Sequence, residues 1–385
     1  MDIPVEGSVD NPTRPLMYEV MRRATERLVP LQVAIELTYR CNLRCKHCYV
    51  DPSLRQNLSD ELSTLEWYGV LDQLAAAGTL SLLFTGGEIF TRPGFFNIAF
   101  AARERGFQLM LLTNGTLVDA AAIANLKVLK PYQIGLSLYG ATEKTHEAVT
   151  GYPGSFAATT NAIARLAESG LRVTVQATLM RENVHEASAI QRLAGRLGAQ
   201  VLVDYQLTPT KNCSLTPQRL EASFAPIVRY LARDPVLGTA EPVAGGPTTC
   251  QAGKGICSIS PLGDVFPCLM MPLRLGNLRQ RKFQDLWRQH PSEALDYLRS
   301  LSTEDLEGCA ECVNAPFCQR CSGVALSETG SLTACPPSAR RYAAIRARIH
   351  HERLHHEKGG ETLGEICPEF VEGEVRETAH GCGVR

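Results

Sequence analysis

From Leu31 onward the chain alternates short apolar runs with amphipathic stretches. The runs are Leu31–Leu37, Leu80–Phe84, Gln108–Leu112, Gln133–Leu138, Leu171–Leu179 and Gln200–Tyr205. Between them, apolar residues recur at helical spacing near 60–77, 94–105, 117–128, 156–169 and 184–197. Strand side chains alternate between two faces, whereas helical neighbours recur every three or four positions, so the two patterns can be told apart. Six strands with intervening helices predict an α/β fold with a parallel sheet, either open and doubly wound or closed into a partial (β/α)6 barrel. Ahead of the first run, Leu16, Val20, Met21, Ala24 and Leu28 mark one face of a short helix within Pro15–Leu28, with Arg22, Arg23 and Arg27 on the others.

The pattern changes after about residue 210. One helix near 216–233 precedes Pro235, Pro242, Gly245, Gly246 and Pro247, a series of breakers that reads as a linker. Residues 250–335 then hold eight cysteines and few regular elements. A segment with so little apolar core needs bound metal to hold it together. A basic helix over about 337–355 follows, then a polar tail from Gly359. His350, His351, His355 and His356 on that helix read as a solvated face. The expected division is an N-terminal extension (1–30), a barrel (31–210), a linker helix and loop (211–245), a small, irregular cysteine-rich domain (246–340) and a helix with a tail (341–385).

Composition narrows the function. Lys plus Arg is 39 against 40 for Asp plus Glu, so there is no basic footprint for nucleic acid. No apolar run reaches the roughly 18 residues that cross a bilayer. Met1–Asp10 lacks the basic-then-apolar pattern of a signal peptide. The expectation is a cytoplasmic protein with neither a nucleic-acid nor a membrane partner. Against that, 14 cysteines in 385 residues stand out. In a reducing compartment they are read first as metal ligands rather than as disulfides.

Cys41, Cys45 and Cys48 form C-x3-C-x2-C directly after the first strand, which places them on the active-site face of a parallel barrel. Three thiolates can hold three irons of a 4Fe–4S cube and leave the fourth iron open, as a catalytic site requires. A zinc site would need a fourth ligand, and His47, lying between two of the cysteines, is poorly placed to be it. The stretch Cys41-Asn-Leu-Arg-Cys45-Lys-His-Cys48 resembles the signature of radical S-adenosylmethionine (SAM) enzymes. The resemblance implies that the open iron binds SAM and that reductive cleavage yields a 5′-deoxyadenosyl radical, which takes a hydrogen atom from the substrate. It also implies an electron donor of flavodoxin or ferredoxin type.

Other strand ends on this face carry further matches. Gly86-Gly87-Glu88 resembles the family's Gly-Gly-Glu-Pro motif, with Ile89 in place of the proline. Its glycines permit close backbone approach, and a carboxylate at the rim can accept from the SAM ammonium. By the same resemblance Asn114, Ser137 and Thr178, at the ends of the third, fourth and fifth strands, are expected SAM contacts. Tyr139, Tyr205 and Gln206 are expected to face substrate from their strand-end positions.

The second block runs Cys250-x6-Cys257-x10-Cys268, then Cys309-x2-Cys312-x5-Cys318-x2-Cys321, then Cys335. Eight cysteines suit two four-cysteine sites, and spacing alone also fits two zinc knuckles. Beside the first motif the block resembles the SPASM domain of radical SAM maturases, which implies two auxiliary 4Fe–4S clusters. Carried over by order, the first would use Cys250, Cys257, Cys268 and Cys321, and the second Cys309, Cys312, Cys318 and Cys335. Cys213, Cys367 and Cys382 remain; Cys213 reads as a plain thiol.

The resemblance points to oxidative modification of a peptide or protein, by crosslinking or dehydrogenation, with the auxiliary clusters as electron acceptors. Leu269 stands where sulfatase maturases carry an aspartate, which disfavours formylglycine formation. Thirty residues before the first strand are too few for a leader-binding domain, so leader recognition would need a separate partner or the SPASM surface. A radical SAM enzyme of haem, haem d1 or other small-molecule cofactor biosynthesis is the alternative. A zinc-stabilised interaction module is the non-enzymatic one.

Overall fold

The computed structural model describes residues 16–55, 58–232, 242 and 250–357. Six strands fall where the apolar runs predict them: β1 (Gln32–Thr38), β2 (Ser81–Gly86), β3 (Gln108–Thr113), β4 (Gln133–Ser137), β5 (Val173–Thr178) and β6 (Gln200–Asp204). They pair in parallel, in the order β6-β5-β4-β3-β2-β1. The helices are α1 (Leu16–Glu26), α2 (Thr64–Ala76), α3 (Phe95–Glu104), α4 (Ala120–Leu129), α5 (Glu143–Thr150), α6 (Ser155–Glu168) and α7 (Ala187–Arg196), and α2, α3, α4, α6 and α7 share a core with the strands. Val33, Ile35 and Leu37 on β1 pack into one core with Trp67, Leu71 and Leu74 on α2. Alternation along the strand turns Glu36 and Thr38 to the opposite face, where both are also buried. A Ser63–Glu66 capping box starts α2, and Arg279 from the second block pairs with Glu66 at 2.6 Å.

The cysteine-rich block grows out of this sheet. Strand β7 (Ile256–Ile259) pairs in parallel with β1, with Cys257 beside Val33. The antiparallel strands β8 (Asp264–Phe266) and β9 (Gly276–Asn277) extend it to nine strands. Phe283, Trp287 and Val265 from this block sit in the same core as the barrel strands.

Beyond β6 the expected single helix near 216–233 is a 3-10 turn at Thr216–Leu220 followed by α8 (Phe224–Leu231). The predicted linker falls almost wholly outside the described residues. The second block adds α9 (Glu293–Ser300) and α10 (Ser322–Thr329). The last helix, α11 (Pro337–Glu357), buries Tyr342, Ile345 and Ile349 against Ile227, Val228 and Leu231 of α8. His350 lies 5.3 Å from Phe317 rather than on a purely solvated face.

Candidate active site

The loop after β1 carries Cys41, Cys45 and Cys48. Its backbone is tied down by Arg44 N–H donating to Thr150 O and Lys46 N–H to Val149 O, both 3.0 Å, at the end of α5. Burial pushes the Cys45 thiol up to about 12, with Cys48 and Cys41 adding to the rise. The three sulfurs are therefore near neighbours in a poorly hydrated place, where a cation must compensate thiolates. Donors already face them. Leu43 N–H reaches Cys41 Sγ at 3.4 Å, and Arg55 Nη2 reaches Cys48 Sγ at 3.4 Å. The Arg55 Nε is buried without a partner.

Gly86 and Gly87 let the end of β2 press against this loop. A Cβ on Gly86 would stand 2.5 Å from Thr38 O, and one on Gly87 2.2 Å from Arg40 O. Glu88 follows the end of β2. Its side chain is fully buried, and it accepts from Thr113 Oγ1 (2.7 Å), Phe90 N–H (3.1 Å) and Asn114 N–H (2.7 Å). These bonds fix the ends of β2 and β3 against each other.

Asn114 places its Nδ2 4.0 Å from Cys41 Sγ and 2.9 Å from Asn42 Oδ1. Ser137 ends β4 and hydrogen-bonds the buried Tyr139 side chain. Tyr139 meets the His47 ring edge-on at 4.5 Å, and its N–H donates to His146 Nδ1. It therefore packs behind the cysteine loop. Thr178 ends β5, where its carbonyl accepts from Asn183. Tyr205 and Gln206 lie elsewhere. Tyr205 contacts Tyr342 and Arg346 of α11, and Gln206 lines a smaller cavity with Cys321.

The eight later cysteines gather into two sets. Burial lifts the Cys268 thiol to about 12, with Cys250 and Cys321 adding. Cys257 is raised by burial and by Cys268, and Cys321 by burial and Cys250. Separately, burial lifts Cys318 to about 11, with Cys309, Cys335 and Cys312 adding to the rise. Cys309 is likewise raised by burial, then by Cys335 and Cys312. Among the described residues no three His, Cys, Asp or Glu side chains converge closely enough to chelate a single ion. Four thiols in each later set, and three on the first loop, suit the thiolate ligation of four-iron cubes. Cys213 is disulfide-bonded rather than a plain thiol; Cys367 and Cys382 lie outside the described residues.

Between the first cysteine loop and the second block lies a cleft. Its walls include Tyr49, next to Cys48, and Leu269, next to Cys268, with Met270, Met271 and Phe266 giving an apolar surface. Its ionisable groups are Tyr39, Tyr49, Lys211 and Asp264. Lys211 Nζ lies 2.5 Å from Oε2 of the fully buried Glu36 and 5.0 Å from the Phe266 ring centre. Tyr49 Oη donates to Glu36 Oε1 at 3.1 Å. Burial pushes the Glu36 carboxyl up, and Lys211 opposes that rise. Sequence reasoning missed this group. A glutamate inside an apolar strand was its one visible signal, since Lys211 and Asp264 belong to no motif.

A parallel barrel with three thiols on its first loop, continuous with a second thiol-rich block, defines a class of enzyme. The chain belongs to the radical SAM superfamily, whose model matches residues 35–194. Residues 250–313 match SPASM, an iron–sulfur cluster-binding domain. The AdoMet-dependent heme synthase of Methanosarcina barkeri is 30% identical over 331 residues, covering 78% of this chain and 93% of that protein. The PqqA peptide cyclase of Ruegeria pomeroyi is 30% identical over 354 residues, covering 86% and 91%. SuiB of Streptococcus suis, solved with S-adenosylmethionine bound, shares the fold at a TM-score of 0.59 and 17% identity, covering 83% of this chain and 80% of that one. Among the described residues no helix is long and apolar enough to cross a membrane.

Proposed function

We propose that this enzyme oxidises a peptide or protein substrate held in the cleft between the two cysteine-rich regions. One observation carries the reading: the residues directly after Cys48 and Cys268 both line that one cleft. A group bound there touches the neighbourhoods of the hydrogen-abstracting site and of an auxiliary site together. Cys41, Cys45 and Cys48 would hold the SAM-binding cluster, and the two later sets the auxiliary clusters. Bound there, cluster and SAM supply the 5′-deoxyadenosyl radical.

The chain's own groups do the remaining work. Gly86 and Gly87 bring backbone against the cysteine loop. Met270, Met271 and Phe266 exclude water. Loss of a hydrogen atom and then of an electron leaves a proton to be removed. Lys211 Nζ can pass its own proton to Glu36 Oε2 and take one from the substrate.

The peptide reading draws support from the PqqA peptide cyclase, which aligns over more of this chain than the heme synthase does. The heme synthase relatives and the apolar wall favour a second reading, a tetrapyrrole substrate. The test is to incubate the reduced, reconstituted enzyme and SAM with short peptides encoded beside its gene and, separately, with iron porphyrinoids. The first reading expects 5′-deoxyadenosine together with a peptide that has lost two hydrogens. Turnover of the porphyrinoid alone would contradict it and support the second.

A further inference from the structure

The two four-cysteine sets differ in the cations around them. Arg346 on α11 is 6% exposed. Its Nε donates to Phe317 O at 2.5 Å, while its Nη2 is buried without a partner. Phe317 directly precedes Cys318, so that bond sets the guanidinium beside the second set, with Asp204 and Tyr205 on its other side. Arg320, 8% exposed, donates through Nη2 to Ala334 O at 2.8 Å and through Nη1 to Ser322 Oγ at 3.2 Å. Its Nε also lacks a partner, and Ala334 directly precedes Cys335. Arg340, on the exposed side, donates from Nε to Cys335 Sγ at 3.4 Å. Three guanidiniums thus surround Cys309, Cys312, Cys318 and Cys335. The other set has Lys254 beside Cys250, Arg299 farther out on Gly253 O at 2.7 Å, and shares Arg320 through Cys321.

A buried guanidinium N–H with no acceptor is costly, and the nearby acceptors it lacks are the sulfurs of a bound cluster. Reduction adds negative charge to a cluster, so nearby cations and hydrogen bonds to sulfur favour the reduced form. We propose that Arg320, Arg340 and Arg346 hold the Cys309/Cys312/Cys318/Cys335 site at a higher reduction potential than the Cys250/Cys257/Cys268/Cys321 site. This rests on the cluster assignment above. With clusters bound, that difference would favour electron transfer from the first set, beside the cleft, toward the second.

The test is an EPR-monitored redox titration of the full-length, anaerobically reconstituted protein, which needs no substrate. C257A and C312A each remove one set and so assign the two auxiliary signals. In the unmodified protein the signal lost in C312A should titrate at the higher potential. R340Q with R346Q should lower that signal by about 59 mV, a tenfold change for one electron, and leave the other unmoved. R346K should recover most of its share. R340Q alone, at an exposed position, should give a smaller shift in the same direction if the buried change prevents folding. Equal potentials in the unmodified protein, or shifts shared by both signals, would overturn the inference. Iron near 12 per chain with no shift would overturn it while leaving the cluster assignment intact, whereas absence of iron would overturn both.

Discussion

Gly87 and Glu88 shape the mouth of the barrel by opposite means, one by lacking a side chain and the other by burying one. A methyl group on Gly87 would stand 2.2 Å from Arg40 O, backbone that cannot step aside without moving the cysteine loop. Gly87→Ala should therefore cost about 1–3 kcal/mol of stability and weaken SAM binding. Glu88→Gln keeps the shape but turns an NH2 donor either toward Asn114 N–H or toward Phe90 N–H and Thr113 Oγ1, donors that the carboxylate accepts from. It should also cost about 1–3 kcal/mol while leaving SAM affinity closer to normal. Urea unfolding and SAM titration on both variants separate the two effects. Unchanged stability with abolished SAM binding in Glu88→Gln would return that carboxylate to the role of a ligand.

At the scale of elements, the strands were legible because all six runs are rich in the leucine and β-branched residues of a sheet covered by helices. Their ends also located Gly86 and Asn114 beside the cysteine loop. Helix α5 was not legible. Glu143–Thr150 is short and polar, and its place is fixed by an N-cap at Thr142 and by the loop contacts at Val149 and Thr150. Nor was β7, whose Ile256–Ile259 is a four-residue run with a cysteine inside it. Its partner lies more than 200 residues earlier in the chain, and parallel pairing over that distance leaves no local pattern. Glu36 and Lys211 were hidden for the same reason, since their pairing depends on the loop after β6 returning to β1. Because β7 covers the edge of β1, a fragment ending before residue 250 would expose that edge and part of the shared core. Such a fragment is expected to aggregate. A soluble monomer with native-like near-ultraviolet circular dichroism would show that the barrel does not need the second block.

Over the whole molecule, one sheet carries both cysteine-rich regions and sets them on either side of one cleft. Under the proposed function, that arrangement would let a single substrate group reach both regions without any domain movement. It depends on three separate thiol sets, and metal content reads this most directly. Iron and zinc should be measured after anaerobic purification and reconstitution, in the unmodified protein and in the Cys41/Cys45/Cys48 triple alanine variant. The expected result is about 12 irons per chain, falling by about four in the variant. Zinc near two per chain with little iron would contradict it, leaving a metal-stabilised scaffold with no radical chemistry.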